Sequence, residues 1–156
     1  MIENYVSVME ESLKKKNGIL DRIAEVCRKQ EALLREESFP LEEFDRLMDE
    51  KGELAEELEK LDDGFEALYE RTGKQLQDEK EKFKVQIRHM QELITEITEK
   101  TNNIQTMEER SKQSMEMHLR NERSRLQKNR KTSAAAYNYY KNLTNTETSS
   151  MLDTKQ

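Results

Sequence analysis

Apolar residues recur along this chain at alternating steps of four and three. From Ile2 the series reads Ile2, Val6, Met9, Leu13, Lys16, Leu20, Ile23, Cys27, Gln30 and Leu34. That alternation is the heptad signature of a helix whose seam packs against other helices. Tyr5, Ile19, Val26 and Leu33 lie beside the seam and widen it, which suits two neighbours rather than one. Gly18 interrupts the composition but not the phase, so the pattern predicts one helix over about 2–37.

Ser38-Phe39-Pro40 holds the only proline and marks a break, because proline disfavours a helical residue before it and suits the first turn after it. A second series follows: Phe44, Leu47, Lys51, Leu54, Leu58, Leu61, Phe65, Leu68 and Thr72. Its end has two readings. Gly73 is placed to cap a helix over 41–72, with Asp78 and Glu81 as a capping pair for the next. Alternatively the chain turns at Asp62-Asp63-Gly64. The later turn gives two helices of matched length and is favoured.

The third series is Phe83, Ile87, Met90, Ile94, Ile97, Thr101 and Ile104. Continued at the same steps it meets Glu108, Ser111, Met115, His118 and Glu122, so the apolar seam stops while helical composition continues. No Gly or Pro follows Gly73. A helix over 78–130 would be about 80 Å long at 1.5 Å per residue, against roughly 50 Å for its partners. The expected architecture is all-α: an elongated antiparallel three-helix bundle or coiled coil over 1–130, with an overhanging last helix. Residues 131–156 are expected to form a tyrosine-containing C-terminal segment and a mobile tail.

Composition agrees with the pattern. Ala, Glu, Lys, Leu and Arg supply close to half the residues, against four glycines and one proline. This is long-helix chemistry, with too few turn residues for a sandwich or barrel of short strands. No run approaches about 18 consecutive apolar residues, so membrane insertion is not expected. The start, MIENYVSVMEE, lacks the basic and apolar regions of a secretory signal, and Cys27 is the single cysteine. Both features point to a cytoplasmic protein.

Charge divides the chain. The net value of −6 conceals a surplus of 11 negative charges over Glu31–Lys82 and of 7 positive charges over Arg110–Lys141. Each block serves as a solvated surface or, for the second, as a basic arm toward an acidic partner. Nucleic acid is not expected as that partner, because the pI is near 5.2 and no recognised binding motif accompanies the basic residues.

Catalytic constellations are absent from the pattern. His89 and His118 are far apart, and His118 with Glu122 makes at most a two-ligand pair. Cys27 occupies a seam position suited to a small buried hydrophobe. An enzyme, a metal and a cofactor are therefore not expected. Met107, Met115 and Met117 lie where the seam gives out, and Met115, Leu119 and Leu126 continue it as a thin apolar line. They suit either irregular core filling or a soft surface that adapts to a partner helix.

Several stretches together resemble one family. They are Asp45-x-x-x-x-x-Lys51-x-x-Leu54, Leu61-Asp62-x-x-Phe65-x-x-Leu68-Tyr69-x-Arg71, Leu93-Ile94-x-Glu96-Ile97 and Asn103-Ile104-Gln105. The most specific is Ala135-Ala136-Tyr137-x-Tyr139-Tyr140-Lys141-Asn142, followed by Leu152-Asp153-x-Lys155. Over nearly its whole length the chain resembles the FlgN-type flagellar type III export chaperones. Met151 stands where that family often carries an aromatic or other bulky group.

The resemblance implies a cytoplasmic chaperone for the hook–filament junction proteins (FlgK/FlgL-like). Such a chaperone prevents their premature assembly and delivers them to the export gate through the FlhA cytoplasmic domain. It also implies that the C-terminal part, about 107–156 here, carries the contacts. The expected partner-binding residues are then Met107, Met115, Leu119 and Leu126 on the last helix, with Tyr137, Tyr139 and Tyr140 as anchors, since tyrosine offers large contact area at low entropic cost. The alternative is a structural coiled-coil scaffold, or another coiled-coil component of the export apparatus.

Overall fold

The computed structural model describes residues 2–121 and Tyr139. Helix α1 spans Ile2–Leu34, α2 spans Leu41–Asp78 and α3 spans Lys84–Asn121. The fold is all-helical, a three-helix bundle in which α1 packs along both of the others. No strand occurs among the described residues.

Helix α1 buries every position of its seam from Ile2 to Leu34, the polar Lys16 and Gln30 included, together with Ile19 and Val26 from the widened stripe. It ends three residues earlier than expected, in a tightened turn. The amides of Arg35 and Glu36 donate to the carbonyls of Ala32 and Leu33, each at 3.2 Å. Pro40 then precedes α2, whose first turn is anchored by the Phe44 amide on the Pro40 carbonyl at 3.0 Å. Glu42 and Glu43 lie in that first turn, where the helix dipole favours negative charge.

The turn between α2 and α3 falls at neither expected place. Gly73 lies inside α2 and does not cap it, Asp78 closes α2 and does not open α3, and α3 begins at Lys84. The additional turn of α2 carries Leu76 into the core, beside buried Thr72 and Gly73. Burying a leucine contributes roughly 1.5–3 kcal/mol, more than the about 1 kcal/mol that a helical glycine costs. The chain finally turns over 79–83, where the Glu79 amide donates to the Gln75 carbonyl at 2.9 Å and Lys82 donates to the Glu79 carbonyl at 3.0 Å. Asp62, inside the alternative turn, is instead held by Lys16 at 2.6 Å.

With α2 lengthened, α2 and α3 have 38 described residues each and α1 has 33. The expected overhang does not appear up to Asn121. Over 108–121 the side chains of Glu108, Ser111 and Met115 remain buried at the very positions that continue the seam. The expected extension to residue 130 lies outside the described residues.

Helices α1 and α3 run parallel at a constant offset. Glu3 meets Lys82 at 3.2 Å, Glu10 meets His89 at 2.8 Å, Asp21 meets Lys100 at 2.9 Å and Glu31 meets Arg110 at 3.0 Å, all 79 residues apart. Such partly exposed pairs contribute little stability each, but a slip of either helix would separate all four. Glu3 shows the local field: its own backbone amide and the Lys82 ammonium hold its carboxyl down at about 2.

Candidate functional site

Three polar side chains, one from each helix, meet inside the bundle near the end where α3 finishes. Lys51 of α2 is fully buried, and its Nζ donates to both carboxylate oxygens of Glu108 on α3, at 2.7 and 2.9 Å. The Cys27 thiol of α1 donates to Glu108 Oε1 at 3.1 Å. Burial pushes this thiol far above its ordinary range, and the adjacent Glu108 carboxylate adds to the shift while Lys51 opposes it. The protonated thiol is therefore a hydrogen-bond donor and not a nucleophile.

About two turns further toward the end, an apolar cluster closes the bundle. Leu34, Phe44, Met48 and Met115 are buried there, with Leu33, Phe39, Leu119 and Tyr139 packed around them. Phe39 meets Phe44 edge-on at 5.3 Å between centroids and stacks on His118 at 4.7 Å. His118 Nε2 lies 2.9 Å from the Leu34 carbonyl. That carbonyl can only accept, so Nε2 carries the proton and the imidazole caps the C-terminus of α1.

Tyr139 joins the two layers. Its half-buried ring packs on the apolar cluster, and Lys51 Nζ lies 4.6 Å from the ring centroid. The ammonium thus faces a carboxylate on one side and an aromatic face on the other, a cation–π contact worth about 0.5–2 kcal/mol.

The residues proposed from the sequence are partly brought together. Met107 belongs to the main core, Met115 is buried in the end cluster, and Leu119 is half-buried against it. Met115, Leu119 and Tyr139 therefore share one cluster, while Met107 is part of the interior and offers no open surface as the chain stands. Leu126, Tyr137 and Tyr140 lie outside the described residues. Met117 is exposed.

Lys51 and Glu108 are the residues that sequence reasoning missed as a pair. Lys51 appeared as a polar member of the second series and within the Asp45-to-Leu54 stretch, and Glu108 only as the point where the seam failed. Their opposite charges, each at a seam position of its own helix, were the available signal. Other seam interruptions are matched in the same way: Lys16 by Asp62, Gln30 by the Phe44 carbonyl at 3.4 Å, and Thr72 by the Leu68 carbonyl at 2.8 Å.

Among the described residues, no three His, Cys, Asp or Glu side chains gather to hold a metal ion, and no helix is long and apolar enough to cross a membrane. No family model, curated protein or solved structure matches the chain. What the end of the bundle holds is a buried, methionine-containing apolar cluster over a polar layer, with Tyr139 packed against it.

Proposed function

We propose that this chain is a cytoplasmic, non-enzymatic flagellar export chaperone of the FlgN type. It binds hook–filament junction proteins of the FlgK/FlgL kind, keeps them from assembling early and hands them to the FlhA cytoplasmic domain at the export gate. The observation that carries the reading is the seat of Tyr139 on the cluster of Leu34, Phe44, Met48 and Met115. One residue of the stretch most specific to the family resemblance thus lies against Met115 and Leu119, which are expected to meet a client.

A half-buried tyrosine is a replaceable cover. A client helix presenting its own apolar side chains would take the place of Tyr139 over Met115 and Leu119, and the C-terminal segment would then close on the client. Exchange of one contact set for another needs no ATP, only a difference in affinity between the free and the gate-bound states.

The experiment is size-exclusion chromatography with light scattering, on the chain alone and mixed with the junction proteins of the same organism. A complex of fixed stoichiometry that is lost on deletion of 131–156, with helical content of the bundle retained, supports the proposal. Unchanged binding after the deletion places the site elsewhere. The structural coiled-coil reading rests on the heptad seam and the constant register of α1 on α3. It predicts instead concentration-dependent self-association into rods and no junction-protein complex.

A further inference from the structure

The two edges of α1 differ. Toward α3 the edge is laced by the four ion pairs at constant offset. Toward α2, midway along the bundle, it opens into a groove of about 530 Å³. The floor is apolar, formed by Ile19 of α1 and half-buried Leu61 of α2. Gly18 notches the α1 wall: a Cβ built there would meet nothing within 4 Å.

The rim of this groove is cationic in an otherwise acidic protein. Lys15 and Arg22 stand on one wall and Lys60 on the other, with Glu57 the single carboxylate. All three cations are exposed, and none of them has an ion-pair partner among the described residues. Of the neighbouring acids, Asp62 is engaged by Lys16 and Asp21 by Lys100, which leaves Glu57 as the carboxylate at the rim. Lys15, Gly18, Ile19 and Arg22 follow the i, i+3, i+4, i+7 rule, so they form one stripe about two turns long. A notched apolar floor flanked by Lys15 and Arg22 on one wall and Lys60 on the other matches a helix that carries small or branched apolar side chains on one stripe and carboxylates beside it.

We propose that this α1–α2 groove is a docking site for an acidic amphipathic helix of a partner protein. The chain's own C-terminal region does not suit it, because Arg110–Lys141 carries a surplus of 7 positive charges. The site is separate from the end cluster and stands whether or not the export reading does.

The test uses fluorescence anisotropy on the full chain with a labelled, end-blocked helical peptide bearing leucines at i, i+3 and i+7 and glutamates beside them. A second peptide replaces every glutamate by lysine. The acidic peptide is expected to bind saturably, at least about tenfold more tightly than the lysine peptide, with affinity falling as salt rises. Two variants check the place. Lys15→Glu/Arg22→Glu/Lys60→Glu removes the rim charge, and Gly18→Phe fills the notch in open space without touching the core. Each is expected to weaken the acidic peptide by about tenfold or more, which is roughly 1.4 kcal/mol. Circular dichroism confirms that Gly18→Phe remains folded, so the test holds even if the triple variant does not fold. Absence of saturable binding, equal binding of both peptides, or undiminished binding to folded Gly18→Phe would overturn the proposal. So would self-association of the chain that both variants abolish, since the acidic helix would then belong to a second copy.

Discussion

Replacing Lys51 by methionine is the most incisive perturbation of the bundle. The substitution keeps an unbranched apolar stem as far as Cε, with sulfur in place of one methylene, and removes the ammonium. Lys51 is fully buried and gives Glu108 two hydrogen bonds, at 2.7 and 2.9 Å. At that separation and an effective dielectric constant of 20, the gross attraction is about 6 kcal/mol. Most of it offsets the desolvation of two charges. What the single variant loses is not the net worth of the pair but the compensation of a carboxylate left inside. That loss is about 3–5 kcal/mol. The Cys27 thiol still donates to Glu108 and recovers only part of it. Urea denaturation followed by circular dichroism should therefore show Lys51→Met less stable by about 3 kcal/mol or more. Lys51→Met/Glu108→Leu should regain most of that, giving a coupling energy of about 2–3 kcal/mol in the double-mutant cycle. A single variant that costs under about 1 kcal/mol, or a double variant whose cost is the sum of the singles, would refute the buried pair as the organising contact of this layer.

Ile97 is fully buried at the centre of α3, so Ile97→Ala should lower the unfolding free energy by about 2–5 kcal/mol in the same assay. Gly18 and Gly64 sit inside helices with open space about them, so Gly18→Ala and Gly64→Ala should each raise it by up to about 1 kcal/mol. The Cys27 thiol should resist a thiol-reactive disulfide reagent at mildly alkaline pH in the native state and react at once in urea. Because its folded pKa is raised, the folded chain holds the proton while the unfolded chain releases it near pH 9.0. Stability should thus fall as pH rises above that value, and Cys27→Ala should lose less over the same range when followed by urea titration at each pH.

Much of the bundle was legible because one rule governed it. The four-three steps over α1 named the buried positions from Ile2 to Leu34, polar members included, and Pro40 located the first turn. The second turn was misread because local signals compete with burial. Gly73 and the Asp78–Glu81 pair suggest an ending, but only the assembled bundle shows that Leu76 has a core to enter. Glu108 was misread for a related reason. A lone acidic residue on a seam looks like the end of that seam until the register between helices brings Lys51 opposite it. Spacing alone held a clue to the register of α3 on α1, though not to that of α2. Glu3, Glu10 and Glu31 are separated by multiples of seven, as are Lys82, His89 and Arg110. At the candidate site, the spacing put Met115, Leu119 and Leu126 on one apolar line; Leu126 lies outside the described residues, and pattern could not tell that the chain's own Phe39, Phe44 and Tyr139 pack with Met115 and Leu119.

In the proposed chaperone a junction protein binds at the end of the bundle, where α3, the turn before α2 and Tyr139 meet. The decisive test is hydrogen–deuterium exchange by mass spectrometry on the full chain, alone and saturated with a junction protein. Altered exchange is expected in peptides covering 39–48, 111–121 and 131–156, with the middle of the bundle over 54–72 unchanged. No complex at saturating concentrations, or changes confined to the middle of the bundle, would contradict the proposal.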